Sequence, residues 1–190
     1  MNDVRALLGN TDLYLIDLWM KGRLEGLRSV LDAGAGRGRN LHPFAGLRRV
    51  AVDLDAAALA ELPEDVECLV GAIEELALPG RFDLVVCCAL LHFARDAQHF
   101  SRMLRACWEA VEVEGLLFVR TASRIGLEPG REFTVGDGAE PFLLAAVDFF
   151  RWTEELGGVW EEPLRTSVVE GGRCMTTWVL RKPALPIFAP

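Results

Sequence analysis

Lysine, asparagine and glutamine are scarce in this chain, tyrosine occurs once, and no apolar run approaches the length of a membrane helix. Such a helix needs about 18 or more apolar residues, so no membrane-spanning helix is expected. The first ten residues, MNDVRALLGN, lack the basic stretch and apolar core of a secretory leader. The expected compartment is the cytoplasm. Basic side chains number 20 against 28 acidic ones, a formal charge of −8. That sign works against general affinity for nucleic-acid backbones or anionic membranes. The five cysteines (Cys68, Cys87, Cys88, Cys107 and Cys174) are odd in number and contain no C-x-x-C spacing. No histidine cluster stands near them, so no zinc site is expected and the thiols read as small buried hydrophobes in a reducing compartment. No repeat, low-complexity tract or linker divides the 190 residues, of which 51% are apolar. A chain of that size and composition folds as one domain with a real core.

Apolar periodicity supplies the elements. Leu13, Ile16, Trp19 and Met20 recur at helical spacing behind a cap-like Thr11, predicting a helix within 11–26. Short apolar runs at 29–34, 47–55, 66–72, 82–90 and 114–123 read as strands. Between them, 39–44 can begin a helix, and 56–63 is helical by propensity. The segment 96–111 places Phe100, Leu104, Cys107, Trp108 and Val111 on one helical face. Strand cores that are almost continuously apolar and alternate with helices predict a parallel sheet covered on both faces. Right-handed crossovers make it doubly wound. After the fifth strand come a Gly/Pro-rich stretch, 124–141, and a helix over 142–158. Two strand-like segments, 163–170 and 173–182, are joined through Gly171-Gly172 and read as an antiparallel hairpin. The expected fold class is therefore α/β: a Rossmann-like, doubly wound, mostly parallel seven-stranded sheet with an antiparallel C-terminal hairpin and helices on both faces.

Residues 30–40 read VLDAGAGRGRN. An acid, Asp32, closes the first strand directly before a loop with glycine at 34, 36 and 38. In open parallel sheets ligands bind beyond the carboxyl ends of the strands, at the switch point beside the first strand. A nucleotide-like ligand is expected there. The dinucleotide fingerprint G-x-G-x-x-G/A, counted from Gly34, needs a small residue at 39, where this chain has Arg39. Asp32 would also repel a pyrophosphate. A nicotinamide-dependent oxidoreductase therefore fits poorly. S-adenosylmethionine fits both features, since it has no phosphate and carries an ammonium and a sulfonium that a carboxylate attracts. Asp53 closes the second strand in VAVDLD, where it can accept hydrogen bonds from ribose hydroxyls.

The segments VLDAGAGRGRN, VAVDLDAAAL, LVGAIEEL and FDLVVCCALLHF resemble, in order and spacing, motifs I to IV of the class I S-adenosylmethionine-dependent methyltransferases. The resemblance covers roughly residues 28–120, and the late hairpin is similar to that family's last two strands. The whole is similar to small methyltransferases of the tellurite-resistance type. It implies one domain over 1–190: an N-terminal helical cap (1–27), a cofactor-binding half (28–120) and a substrate-side half with the terminal hairpin (121–190). It implies S-adenosylmethionine as cofactor and a small-molecule methyl acceptor. Matching positions assign Asp32, Gly34, Ala35, Gly36 and Gly38 to the cofactor loop. They assign Asp53 to the ribose, Leu54 to the adenine face, Ala72 and Ile73 to the adenine edge, and Cys88 and Leu90 to the methionine part. Many members carry an aspartate where this chain has Ala72, which leaves adenine contact to backbone groups or Glu74.

The catalytic set is open. His92, in LLHF after the fourth strand, is a candidate general base, set against a histidine bonded within its own loop. His42 and His99 are read as structural, Asp55 as a helix cap, and Arg37 and Arg39 as solvated residues at a helix start. Tyr14, Lys21 and Arg23 are set between core packing and a lid over the cofactor. Arg120, Arg124 and Arg131 gather where the fifth strand ends, and guanidinium groups bind oxyanions in bidentate fashion. Arg124 is thus a candidate for holding an anionic acceptor, although Glu128, Glu132 and Asp137 are equally available as partners for these arginines. A non-catalytic domain that binds S-adenosylmethionine is the alternative reading.

Overall fold

The computed structural model describes residues 8–127, 130, 140–169 and 172–184. In chain order the elements are α1 (Leu13–Met20), β1 (Ser29–Ala33), β2 (Arg48–Asp53), α2 (Ala56–Leu59), β3 (Val66–Val70), β4 (Phe82–Cys88), α3 (Ala97–Glu109), β5 (Val111–Ala122), α4 (Ala146–Leu156), β6 (Val159–Trp160), β7 (Arg165–Val168) and β8 (Cys174–Arg181). The strands form one sheet in the order β3-β2-β1-β4-β5-β8-β6, with β7 also on β8. The first five strands are parallel. β8 runs antiparallel to β5, from Leu116↔Arg181 to Ala122↔Met175. β6 and β7 both pair with the other edge of β8, through Val159↔Arg181 and Arg165↔Thr177. They act as one edge strand interrupted over 161–164, where Pro163 has no N–H for the ladder. The sheet is thus seven strands wide, as expected, and its last strand is broken.

Strand alternation sorts side chains between two cores. Leu31, Val85, Cys87, Leu117 and Val119 face Phe100, Leu104 and Trp108 of α3 and Phe149 and Trp152 of α4. Val30, Leu84, Val86, Leu116 and Phe118 face Leu15 and Leu18 of α1, Phe44 and Leu59. Both faces are dry, which explains why the strands read as unbroken apolar runs.

Several local expectations are corrected. The N-cap of α1 is Asp12, whose Oδ1 accepts the Tyr14 N–H at 3.0 Å. Thr11 instead donates its hydroxyl to the carbonyls of Leu8 and Arg39. Residues 39–44 form only a 3₁₀ turn, His42–Phe44. α2 is four residues long, capped by Asp55 as expected through the N–H groups of Ala57 and Ala58. α4 starts at Ala146, because Leu144 is drawn out to bridge Ser123 beside the sheet. The β7–β8 pairing confirms the antiparallel hairpin. Among the described residues no helix is long and apolar enough to cross a membrane.

The strand order reverses between β1 and β4, so the carboxyl ends of β1, β2 and β4 open onto one crevice.

Candidate cofactor site

Asp32 lies in β1 with none of its surface exposed, and neither carboxylate oxygen has a hydrogen-bond partner. Burial pushes its pKa up to about 7; Arg39 opposes that shift and Asp53 adds to it. A buried polar group left unpaired costs about 1–3 kcal/mol, more if charged, and a cationic ligand group would relieve it. Asp53, at the end of β2, accepts one backbone hydrogen bond on each oxygen, which leaves further lone pairs for a ligand. Its Oδ2 accepts the Gly36 N–H at 2.7 Å and its Oδ1 the Asp55 N–H at 2.9 Å. The carboxylate therefore pins the glycine loop to the second strand. Gly36 has φ +51°, and a side chain there would meet no described atom within 4 Å. That open space above a fixed backbone suits close approach of a ligand.

A cavity of about 160 Å³ opens beside the loop. Of the residues expected from sequence, Gly34, Asp53, Leu54, Ala72, Ile73 and Leu90 line it, whereas Asp32, Ala35, Gly36, Gly38 and Cys88 do not. Leu54 stands 74% exposed at its rim, an apolar side chain that a flat ligand would cover. Phe93, Met103, Glu74 and His99 complete the wall. Sequence reasoning took His99 as a structural residue without a partner, and the structure supplies partners for both ring nitrogens. His99 Nδ1 accepts the Arg95 N–H at 3.1 Å, which leaves Nε2 to donate to Glu74 Oε1 at 2.8 Å. Both side chains are mostly buried, 14% and 8% exposed. The available signal was the spacing of His99 and Met103, one turn apart at the start of an amphipathic helix.

His92 sits on the 3₁₀ turn Leu91–Phe93 and is buried. The Ala122 N–H donates to its Nδ1 at 3.4 Å. Burial, and then the charge of Arg173, push its pKa down to about 4, so the ring is neutral near pH 7. His92 does not line the cavity.

A buried polar cluster closes the other side of the loop. Arg120 Nη1 lies 3.2 Å from Asp12 Oδ2, and Arg39 Nη2 lies 3.8 Å from the same oxygen. Arg39 Nη2 also donates to Cys88 Sγ at 3.0 Å. Arg39 is exposed, as expected of a solvated residue, with 41% of its side chain accessible, yet its guanidinium reaches Asp12 and Cys88 because the N-terminal segment folds its acid onto the loop. Cys88 is held as a thiol, its pKa pushed up to about 12 by burial first and then by Asp12. Arg120 donates to Ser167 Oγ at 3.0 Å and lies 4.9 Å from the Tyr14 ring. Lys21 and Arg23 pair with Glu162 and Glu161, which ties α1 to the break between β6 and β7. Arg124 is exposed, and its N–H donates to the Leu144 carbonyl at 2.8 Å. Arg131, Glu128, Glu132 and Asp137 lie outside the described residues.

Residues 31–119 match the family described as a methyltransferase domain. A probable S-adenosylmethionine-dependent methyltransferase of Mycobacterium tuberculosis is 34% identical over 111 residues, 55% of this chain and 39% of that protein. Over residues 31–119 this chain is similar to the S-adenosylmethionine-dependent methyltransferases. It spans about two fifths of the length of the curated relatives it matches. The fold of this chain is also that of 1,6-didemethyltoxoflavin-N1-methyltransferase of Burkholderia thailandensis, with a TM-score of 0.70 at 20% identity over 90% of this chain and 77% of that one. TehB of Haemophilus influenzae superposes with a TM-score of 0.67 at 17% identity, over 87% of this chain and 61% of that one. The cofactor named for that curated relative is S-adenosylmethionine, and the residues of this chain suit that molecule. The unpartnered carboxylate of Asp32 matches an ammonium, and the apolar cavity beside Asp53 matches a purine riboside.

Proposed function

We propose that this protein transfers the methyl group of S-adenosylmethionine to a small anionic molecule in the cytoplasm. The observation that carries the reading is Asp32, a buried carboxylate without a partner, behind a glycine loop pinned by Asp53. Its charge selects a cationic cofactor over a dinucleotide. In this reading residues 28–120 hold the cofactor, and 121–190 complete the acceptor side. When bound, S-adenosylmethionine supplies an electrophilic methyl group on a sulfonium, itself a good leaving group. The protein's share is then alignment and exclusion of water. Asp32 attracts the ammonium. Asp53 fixes the loop and presents its outer surface to the ribose. Leu90, at the end of β4, directs the methionine part toward the acceptor. Arg124 at the end of β5 binds the acceptor's anionic group, while Arg120 is committed to Asp12 and Ser167.

The histidines supply no ready base. In the neutral ring His92 Nδ1 takes an N–H and Nε2 carries the proton, and both nitrogens of His99 are engaged. That favours an acceptor already deprotonated at neutral pH, and it equally suits a non-catalytic binding domain. Calorimetric titration with S-adenosylhomocysteine and with NAD, followed by a turnover screen against small anions and neutral analogues, separates the readings. We expect binding of the first ligand only, and S-adenosylhomocysteine release with an anion. With that anion, Arg124→Ala lowers kcat/KM at least tenfold, about 1.4 kcal/mol, and leaves cofactor affinity unchanged. Tight NAD binding, or turnover only with neutral or cationic acceptors, refutes the proposal.

A further inference from the structure

β8 pairs with β5 in a constant register that ends at Ala122↔Met175. The ladder runs one residue further, because the Ser123 N–H donates to the Cys174 carbonyl at 2.9 Å. The next position sets Arg124 across from Arg173. Arg124 is exposed and Arg173 is half-buried. Like charges directly opposite on paired strands destabilise the pair, and among the described residues neither arginine forms an ion pair that would offset this. Two guanidiniums facing each other at the carboxyl edge of a sheet are complementary to an oxyanion that lies between them.

A third donor stands beside this pair. His92 follows β4, and the Ala122 N–H donates to its Nδ1, so the neutral ring carries its proton on Nε2. Nε2 has no hydrogen-bond partner among the described residues, although His92 is only 4% exposed. The charge of Arg173 acts on this ring and, after burial, helps to keep it neutral. A buried N–H without an acceptor carries a free-energy cost that an oxyanion would relieve.

The place of the three donors also says what else the ligand contains. The crevice where the strand order reverses lies between β1 and β4, and the arginine pair lies between β5 and β8, with β4 and β5 intervening. At about 4.8 Å per strand the two places are about 10 Å apart. An anion held between the arginines is therefore an anchor, and the atom that receives the methyl group is a different one on the same molecule. A free inorganic oxyanion is too small to span that distance. Two guanidiniums match a group with two negative charges.

We propose that the methyl acceptor is an organic molecule carrying a doubly charged oxyanion of the phosphate-monoester class, and that Arg124, Arg173 and the Nε2–H of His92 clamp that group at the end of the β5–β8 ladder. The inference rests on the proposed methyl transfer to an anionic acceptor. In it His92 is a specificity residue, which donates a hydrogen bond and takes no proton.

The test uses sulfate as a doubly charged probe and methanesulfonate as its singly charged counterpart. Both are titrated at constant ionic strength into the full chain saturated with S-adenosylhomocysteine. The wild type binds sulfate with a Kd of about 1 mM, at least tenfold more tightly than methanesulfonate. Arg173→Ser and Arg124→Ser each weaken sulfate binding at least tenfold. His92→Phe, which keeps a ring and loses the N–H, weakens it at least threefold, and His92→Gln, whose amide donates from the same place, restores it. Affinity for S-adenosylhomocysteine stays the same in all four variants. Without sulfate and at low salt, Arg173→Ser melts no lower than the wild type, since it removes a repulsion, whereas an arginine that only holds the fold together gives a lower midpoint. Absent sulfate binding, equal affinities for the two probes, sulfate binding unchanged in Arg173→Ser, a lower midpoint for that variant, or methylation of a free inorganic oxyanion overturns the inference and leaves methyl transfer to an anion intact. No binding of S-adenosylhomocysteine by the folded wild type overturns the cofactor reading instead. If a histidine variant fails to fold, the arginine variants and the wild-type preference for sulfate decide.

Discussion

Asp32→Asn isolates the group on which the cofactor reading stands. Burial raises the carboxyl from its ordinary 3.8 to about 7 in the folded chain. A group whose folded pKa is raised binds more protons folded than unfolded, so its stabilisation is fully present below pH 4. It declines between about pH 4 and 7 and is gone above 7. About 3 pH units at about 1.4 kcal/mol each set a ceiling of about 4 kcal/mol, and relaxation around the site reduces this to about 2–4 kcal/mol. Asparagine keeps the shape and cannot ionise. The variant should therefore match the wild type at pH 4 and exceed it by about 2–4 kcal/mol at pH 8. His92 acts in the opposite sense: its pKa is lowered to about 4 from 6.5, so its contribution is present above 6.5 and lost as the pH falls toward 4. The diagnostic quantity is accordingly the difference between variant and wild type, in which His92 cancels. Urea denaturation at several pH values between 4 and 8, with an unchanged m-value, measures it. Saturating S-adenosylhomocysteine should raise the wild-type midpoint far more than that of the variant. Parallel pH profiles, or a wild type more stable than the variant at pH 8, would refute the reasoning.

Three further outcomes are expected. Asp53→Ala weakens S-adenosylhomocysteine binding by about 1.5–3 kcal/mol, the range for hydrogen bonds to a charged group, and unpins Gly36; unchanged affinity in calorimetry removes Asp53 from the site. Gly36→Val folds, at about 1–2 kcal/mol for its left-handed backbone, because no described atom obstructs the side chain. It nevertheless loses the cofactor, and normal binding would show that the loop serves packing alone. Arg120→Ala costs about 2–3 kcal/mol in denaturation, below the usual range of about 3–5 kcal/mol for breaking a buried pair, because Asp12 keeps Arg39 at 3.8 Å. A loss under about 1 kcal/mol would mean that water replaces the guanidinium.

The sequence by itself determined whatever is written locally. Val30 and Leu31 ahead of Asp32, the glycines after it, and Asp53 closing the next apolar run all lie within single short segments, and periodicity with residue chemistry reads them directly. The same holds for the hairpin, whose two strands are neighbours in the chain. Helix ends were less legible: Ala146 and Met20 bound their helices through contacts and turns, not through propensity. Tertiary structure alone decided the pairings across the sheet. Glu74 and His99 are 25 residues apart, and Asp12 and Arg120 are 108 apart. Each of these residues taken alone reads as a solvated charge or an idle imidazole. They meet because the strand order sets the loop after β3 beside the start of α3 and folds the N-terminal segment over the carboxyl end of β5. The cost of burying a polar group without a partner then selects which side chains pair, and that cost exists only once the sheet has formed around them.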